Sequence, residues 1–256
     1  MLEFRSELRS TLARLDATGG RLRCNYGSRS AELCDAENVL LYNVGVSTFS
    51  RLGSKGVTFE RSYDLPACPV PLAGRAEHHC LYVADCDGSF VSWRVTALAA
   101  SFGGQAPKRA DKVAGWWWST RSSIRDVAGS DLAGERFGLR VRLGPTSRGL
   151  IGLLKPMLDG IVAALHRNTG PDALAVSRVA AYLAVSPEAV EVNLDPSHAP
   201  LGERRLLWPF QDGVQWNPAD ELCVACHVEV DERLPAGSFE GELLTVSAQS
   251  SSGSDS

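Results

Sequence analysis

Arg136 to Leu143 alternates without a fault. Phe137, Leu139, Val141 and Leu143 hold one register and Arg136, Gly138, Arg140 and Arg142 the other, which predicts a strand with one buried face. Leu222 to Val230 alternates likewise, with Leu222, Val224, Cys226, Val228 and Val230 on the apolar side. Two β-rich runs, Cys80 to Cys86 and Ser89 to Leu98, flank Asp87-Gly88, a pair suited to a type I′ turn, and together predict a hairpin. In its second arm Val91, Trp93, Val95 and Ala97 share a face opposite Ser92, Arg94 and Thr96. Val57 to Arg61 also alternates. The apolar run Val39, Leu40, Leu41, Tyr42 and Val44, within Glu37 to Val46, reads as a buried strand with Gly45 as a bulge.

Helical spacing occurs in three places. Met1 to Leu15 scatters Arg5, Glu7, Arg9 and Arg14 among Leu2, Phe4, Leu8, Leu12 and Leu15, the pattern of an amphipathic helix. A central pair follows the Arg136–Leu143 strand. Its first helix is expected from about Lys155 to His166, stopped by Asn168-Thr169-Gly170. Its second begins with Pro171 in the first turn, where Asp172 favours the dipole, and ends before Ser186-Pro187, which reads as a fresh cap. Leu65 to Pro71, Asp195 to Gly202 and Trp208 to Pro218 read as loops, and the Ser-rich stretch from Ser247 as a disordered tail.

Strands around a central helical pair predict an α+β fold with a mostly antiparallel sheet. The expected organisation is an N-terminal helix and strand extension (1–88), an α+β core (89–245) and a tail (246–256).

Composition narrows the partners. The chain has 256 residues, 44% hydrophobic and 22% charged, and no run of eighteen apolar residues. A cytoplasmic protein without membrane contact is expected, and the seven cysteines are expected to be thiols. The net charge of −4 conceals an asymmetry: residues 101–210 carry 14 Lys and Arg against 10 Asp and Glu, whereas residues 211–256 hold one Arg against nine acids. A mildly basic middle could face phosphate; the bland reading is charge that keeps the protein dissolved.

Most motif-like pieces dissolve on inspection. Cys223-Val224-Ala225-Cys226-His227 has c-type haem spacing, but strand alternation makes the two thiols diverge, so no haem is expected. His78-His79-Cys80 with Cys86, and Cys68 beside them, is too widely spaced for a zinc knuckle, so buried thiols are the simpler reading. Trp116, Trp117 and Trp118, flanked by Lys108, Arg109, Lys112, Arg121 and Arg125, could form a base-stacking platform. Three consecutive indoles in a strand would place at least one in the core. No hydrolase triad and no phosphate-binding glycine loop is present.

What remains is carboxylates. Asp159 is expected in the first turn of its helix, with Lys155 beside it, and Asp220 and Glu221 open a strand. Magnesium takes one or two carboxylates plus water and substrate phosphate, so such a set could hold it; helix capping and edge exposure explain the same residues without it.

The order of strand Arg136–Leu143, then Lys155-Pro156-Met157-Leu158-Asp159, then Trp216-Asn217-Pro218-Ala219-Asp220 before a closing strand resembles the RusA-type Holliday-junction resolvases. Pro107-Lys108-Arg109 resembles that family's early basic element. The resemblance covers roughly residues 90–234. It implies a phage- or mobile-element-style magnesium-dependent endonuclease, or a binder of branched DNA that has lost cleavage. Asp159, Asp220 and Lys155 would be catalytic, with Asp159, Asp220 and Glu221 holding Mg2+. Lys108, Arg109, Arg136, Arg140 and Arg142 would meet DNA phosphate. A homodimer is compatible with it. Met157 stands where the family has its first helix aspartate, which implies that Asp195 or Glu221 substitutes and that Met157→Asp would restore activity. The alternative is a non-catalytic α+β interaction protein of the bacterial cytoplasm.

Overall fold

The alternating Phe137–Leu143 run folds as its pattern predicts and lies in the interior of an eight-stranded sheet. This computed structural model describes residues 2–15, 18–28, 34–63, 78–110, 112–126 and 131–249, with the backbone alone for 2–5. In chain order the elements are α1 (Leu2–Ala13), β1 (Arg21–Ser28), a π-helical turn (Asn38–Tyr42), α2 (Val46–Phe49), β2 (Gly56–Ser62) and β3 (His78–Ala84). Next come β4 (Trp93–Gln105), α3 (Val113–Arg121), β5 (Arg125–Asp126), β6 (Phe137–Leu143), α4 (Leu150–Ala164), β7 (Arg167–Asn168), α5 (Ala173–Leu183) and α6 (Pro187–Leu194). The chain continues through β8 (Glu203–Arg204), β9 (Leu207–Phe210), β10 (Gly213–Trp216), a 3-10 turn (Asp220–Leu222), β11 (Cys223–Val230) and β12 (Ser238–Ala248).

The sheet order is β3-β1-β2-β11-β6-β12-β4-β5, with two further two-stranded pairs, β10-β9 and β7-β8. Within the main sheet only β1/β2 and β11/β6 run parallel. The fold is therefore α+β with a mostly antiparallel, open sheet. Leu139 and Val141 of β6 share a buried cluster with Leu154, Leu158 and Ile161 of α4, Trp116 of α3 and Phe49 of α2, so these helices cover one face. On the other face a smaller cluster forms from Phe90, Trp93, Val224, Ala225 and Leu244.

Several expectations need correction. The first 88 residues are not an extension: β2 pairs with β11, and Leu22, Val57 and Phe59 belong to the main core. Cys80–Cys86 and Ser89–Leu98 form no hairpin, since β3 pairs with β1 and lies far across the sheet from β4. Asp87 instead folds back on Ser89, and the buried Glu60 carboxylate accepts the Val91 and Ser92 N–H groups, holding this crossing segment on the outer face. The 37–46 run is helical, because the Asp35 side chain accepts the Asn38 N–H and starts a turn there. A short apolar run cannot by itself distinguish strand from buried helix.

The tryptophan triplet is also helical. Trp116 enters the main core, where its indole N–H donates to the Ala110 carbonyl at 2.8 Å. Trp117 enters a second cluster with Ala175, Val179 and Leu207. Fully buried, these two indoles cannot stack on bases. Gly160 of α4 makes the crossing possible: a Cβ there would lie 2.5 Å from Trp116 Cβ and 2.7 Å from the Val113 carbonyl oxygen.

The caps of the central region follow the sequence. Asp172 accepts the Leu174 and Ala175 N–H groups, and Ser186 accepts that of Ala189. The expected loop 208–218 holds most of the β9/β10 hairpin. Val246, Ser247 and Ala248, expected in a disordered tail, pair instead with Val95, Arg94 and Trp93; 250–256 lie outside the described residues, as do Cys68 and the 65–71 loop. Among the described residues no single helix is long and apolar enough to cross a membrane.

Candidate functional site

Helix α4 begins earlier than its sequence suggests, at Leu150, so Lys155 and Asp159 lie in its interior and Asp159 is not a first-turn residue. Pro156 resembles a helix start yet occupies the helix middle. A proline has no N–H to give, and the Lys155 N–H donates to the Tyr42 hydroxyl at 2.8 Å. The π-helical turn is thereby tied to α4 beside the site.

Lys155 and Asp159 share one face of α4, with Nζ 2.8 Å from Asp159 Oδ1. The same ammonium lies 2.7 Å from Asp220 Oδ2, 2.7 Å from Asp35 Oδ2 and 3.1 Å from Glu37 Oε1. Four carboxylates from three chain segments thus surround one cation. Through that shared nitrogen, Asp159 Oδ1 and Asp220 Oδ2 are at most about 5.5 Å apart, from contacts of 2.8 and 2.7 Å.

An ammonium has three hydrogens and cannot satisfy four carboxylates. Asp35 and Asp220 accept well-formed hydrogen bonds from it, while Asp159 Oδ1 and Glu37 Oε1, both buried, have among the described residues the ionic contact to Lys155 and no well-formed hydrogen bond. With all four acids ionised the nest carries three excess negative charges. Burial, reinforced by Asp220 and Asp35, pushes the Asp159 carboxyl up to about 7 despite Lys155. Burial raises Glu37 well above the carboxylate range, with Asp35 and Asp159 adding to it, and Asp35 is raised for the same reason with Asp220 contributing. Burial disfavours the Lys155 charge, but Glu37, Asp159, Asp220 and Asp35 outweigh it and hold the lysine protonated.

Of the residues singled out in the sequence, Lys155, Asp159 and Asp220 converge. Glu221 does not join them; it pairs with Arg204 at 2.8 Å. Asp195 lies beside Arg167. Met157 is fully buried in the core, on the side of α4 turned away from the nest.

The expected arginine surface is on the wrong side. Arg136 and Arg140 lie over the rings of Tyr63 and Phe90, on the outer sheet face opposite α4. Arg142 pairs with Glu240 and with Asp231. Arg125, Arg140 and Arg142 line a depression of about 600 Å³ together with Glu229, Glu240 and Glu242, so its charge is mixed rather than basic. Lys108 and Arg109 occupy the turn before α3, on the helical side, with Arg109 over Tyr182 of α5.

Asp35 and Glu37 are additions to the expected set, because a buried strand over 37–46 would not bring them to Lys155. They form an acidic pair two positions apart, on either side of Ala36, at the start of a helical turn. The cysteines also lie differently from the strand expectation. A bulge at Cys223/Ala225 turns both Cys223 and Cys226 into the main core, where the thiols interact rather than diverge. His78 is engaged by the Tyr26 hydroxyl at 2.8 Å.

As placed, no three His, Cys, Asp or Glu side chains among the described residues are set to hold an ion. The donor chemistry of the nest nevertheless suits a hard divalent cation: every donor is a carboxylate oxygen, and two of them are buried without a hydrogen bond. Compared with known protein families, curated proteins and solved structures, the chain matches none.

Proposed function

We propose that this chain is a magnesium-dependent endonuclease, or a binder, of branched DNA, with its site at the Lys155 nest. The observation that supports the reading is the meeting of Asp159 and Asp220 around one cation, with the two contacting oxygens no more than about 5.5 Å apart, the scale of a carboxylate-lined metal centre. Asp159 and Asp220 would hold the ion. A magnesium ion held there would stabilise the charge that builds on the attacking water oxygen and on the leaving alkoxide oxygen of a phosphodiester. Lys155, from the same helix face, meets substrate phosphate or orients the attacking water. Phosphate contacts away from the centre fall to Lys108 and Arg109 on the helical side, in place of Arg136, Arg140 and Arg142.

A second reading, a non-catalytic interaction protein, draws on the exposed Leu174, Val192 and Phe210 of the α5, α6 and β9 region. Four-way and forked DNA separate the two. Slow cleavage in magnesium and none in chelator is expected, lost in Asp159→Asn and Asp220→Asn with binding largely retained and falling steeply with salt. Failure of the wild type to bind or cut any branched substrate at low salt would end the nuclease reading.

A further inference from the structure

We infer that Asp35 and Glu37 are ligands of the same ion, and that the Lys155 ammonium is the cation which a divalent ion displaces. The inference rests on the metal reading of the nest and extends it to residues and a regulation which that reading does not contain. The nest holds more carboxylates than one ammonium can serve, which alone would be an acidic cluster. Glu37 adds an independent observation. Its side chain is only 3% exposed, its Oε1 is buried without a hydrogen-bond partner, and it lies 3.1 Å from Lys155 Nζ. Burying a carboxylate oxygen without a hydrogen bond is costly, so such an atom aimed into an oxygen-lined centre fits a ligand that binds there.

The Lys155 side chain is 26% exposed and sits on a flexible four-carbon stem, so the ammonium can withdraw towards solvent while its backbone stays tied to Tyr42. A divalent ion in its place satisfies more oxygens than three N–H donors can and carries one more positive charge into an over-negative site. Asp35 and Glu37 also supply the carboxylates that Met157 cannot. Metal binding and release of Lys155 towards substrate phosphate become one event, so the lysine is available only when the ion is present.

The test reads binding and lysine exposure rather than cleavage. Mn2+ is titrated by calorimetry into the full-length wild type, Asp35→Asn and Glu37→Gln, and Lys155 labelling by an amine-reactive ester is followed by mass spectrometry, with Lys55 and Lys108 as internal controls. The expected result is a weakening of Mn2+ binding by about tenfold or more in each variant, together with labelling of Lys155 that is slow in chelator and several-fold faster with Mn2+. Asp35→Asn keeps an oxygen to accept the Asn38 N–H, so its melting temperature serves as the folding control. Wild-type Mn2+ affinity in both variants, with Asp159→Asn impaired, would overturn this inference and leave the magnesium reading standing on Asp159 and Asp220. Weakened binding without a change in Lys155 labelling would overturn the exchange. No Mn2+ binding by the wild type would overturn both the inference and the metal reading, whereas binding without DNA cleavage would count only against the nuclease.

Discussion

Lys155 and Asp159 stand one turn apart on α4 with their charges 2.8 Å from each other, and the lysine is shared with Asp35, Glu37 and Asp220. Among the described residues the ammonium is the only positive charge paired with the nest, so its removal leaves buried carboxylates uncompensated. In chelator, Lys155→Met is expected to lose about 3–5 kcal/mol of stability, read by urea unfolding. Asp159→Asn, which lowers the negative excess, is expected to be neutral or stabilising under the same conditions. Equal stability of Lys155→Met and wild type would show that the nest is already neutralised by protons.

Met157→Asp separates the resemblance from the geometry. Residue 157 is fully buried among core residues on the far side of α4, so the new carboxylate would enter the core and not the site. The expected outcome is a loss of about 3 kcal/mol or more and a lower melting temperature, with no gain in Mg2+ binding. A stable variant with enhanced metal binding would mean that α4 turns in solution.

Gly160→Ala tests the helix crossing that holds α4. Its Cβ would meet Trp116 Cβ at 2.5 Å and the Trp117 backbone nitrogen at 2.9 Å, and helix backbone cannot yield as a flexible side chain can. The better helix propensity of alanine, worth about 1 kcal/mol, is expected to be outweighed by overpacking of about 1–3 kcal/mol. Calorimetric melting measures the balance.

His166 supplies a pH dependence. It is buried, with Nδ1 3.3 Å from the Gly202 carbonyl, and burial lowers its pKa to about 4, helped by Arg204 and Arg121. The unfolded chain binds this proton near pH 6.5 and the folded chain only near 4, so its contribution is present above 6.5 and is lost as pH falls through that window. His166→Gln is expected to flatten this part of the acid-unfolding curve between about pH 6.5 and 4. An unchanged curve would place the acid sensitivity elsewhere.

Arg140→Glu tests which face meets DNA. Because Arg140 lies over Phe90 on the sheet face opposite α4, reversing its charge is expected to change branched-DNA affinity by about twofold or less, the scale of a screened, distant charge. Lys108→Glu, on the helical side, is expected to weaken it much more. Gel-shift titrations at fixed low salt compare the two.

Local chemistry was enough for part of this protein. The alternation of Phe137–Leu143 set a strand with its arginines outward, Asp172 and Ser186 capped their helices through their own side chains, and strands around helices implied an α+β fold. Each depends on residues a few positions apart, where spacing and hydrogen-bonding capacity are visible directly. The longer-range features were not. Whether 37–46 was strand or helix depended on Asp35 capturing the Asn38 N–H, and whether 80–98 closed as a hairpin depended on β1 competing for β3. The candidate site was half legible: Lys155, Asp159 and Asp220 could be picked out, but the direction of Met157 could not, since it needs the true start of α4. Asp35 reaches Lys155 across 120 residues and Asp220 across 65. Only the packing of the π-helical turn, α4 and the 3-10 turn brings those charges together, because a nest of like charges has no local signature and exists only where a fold forces its members around one cation.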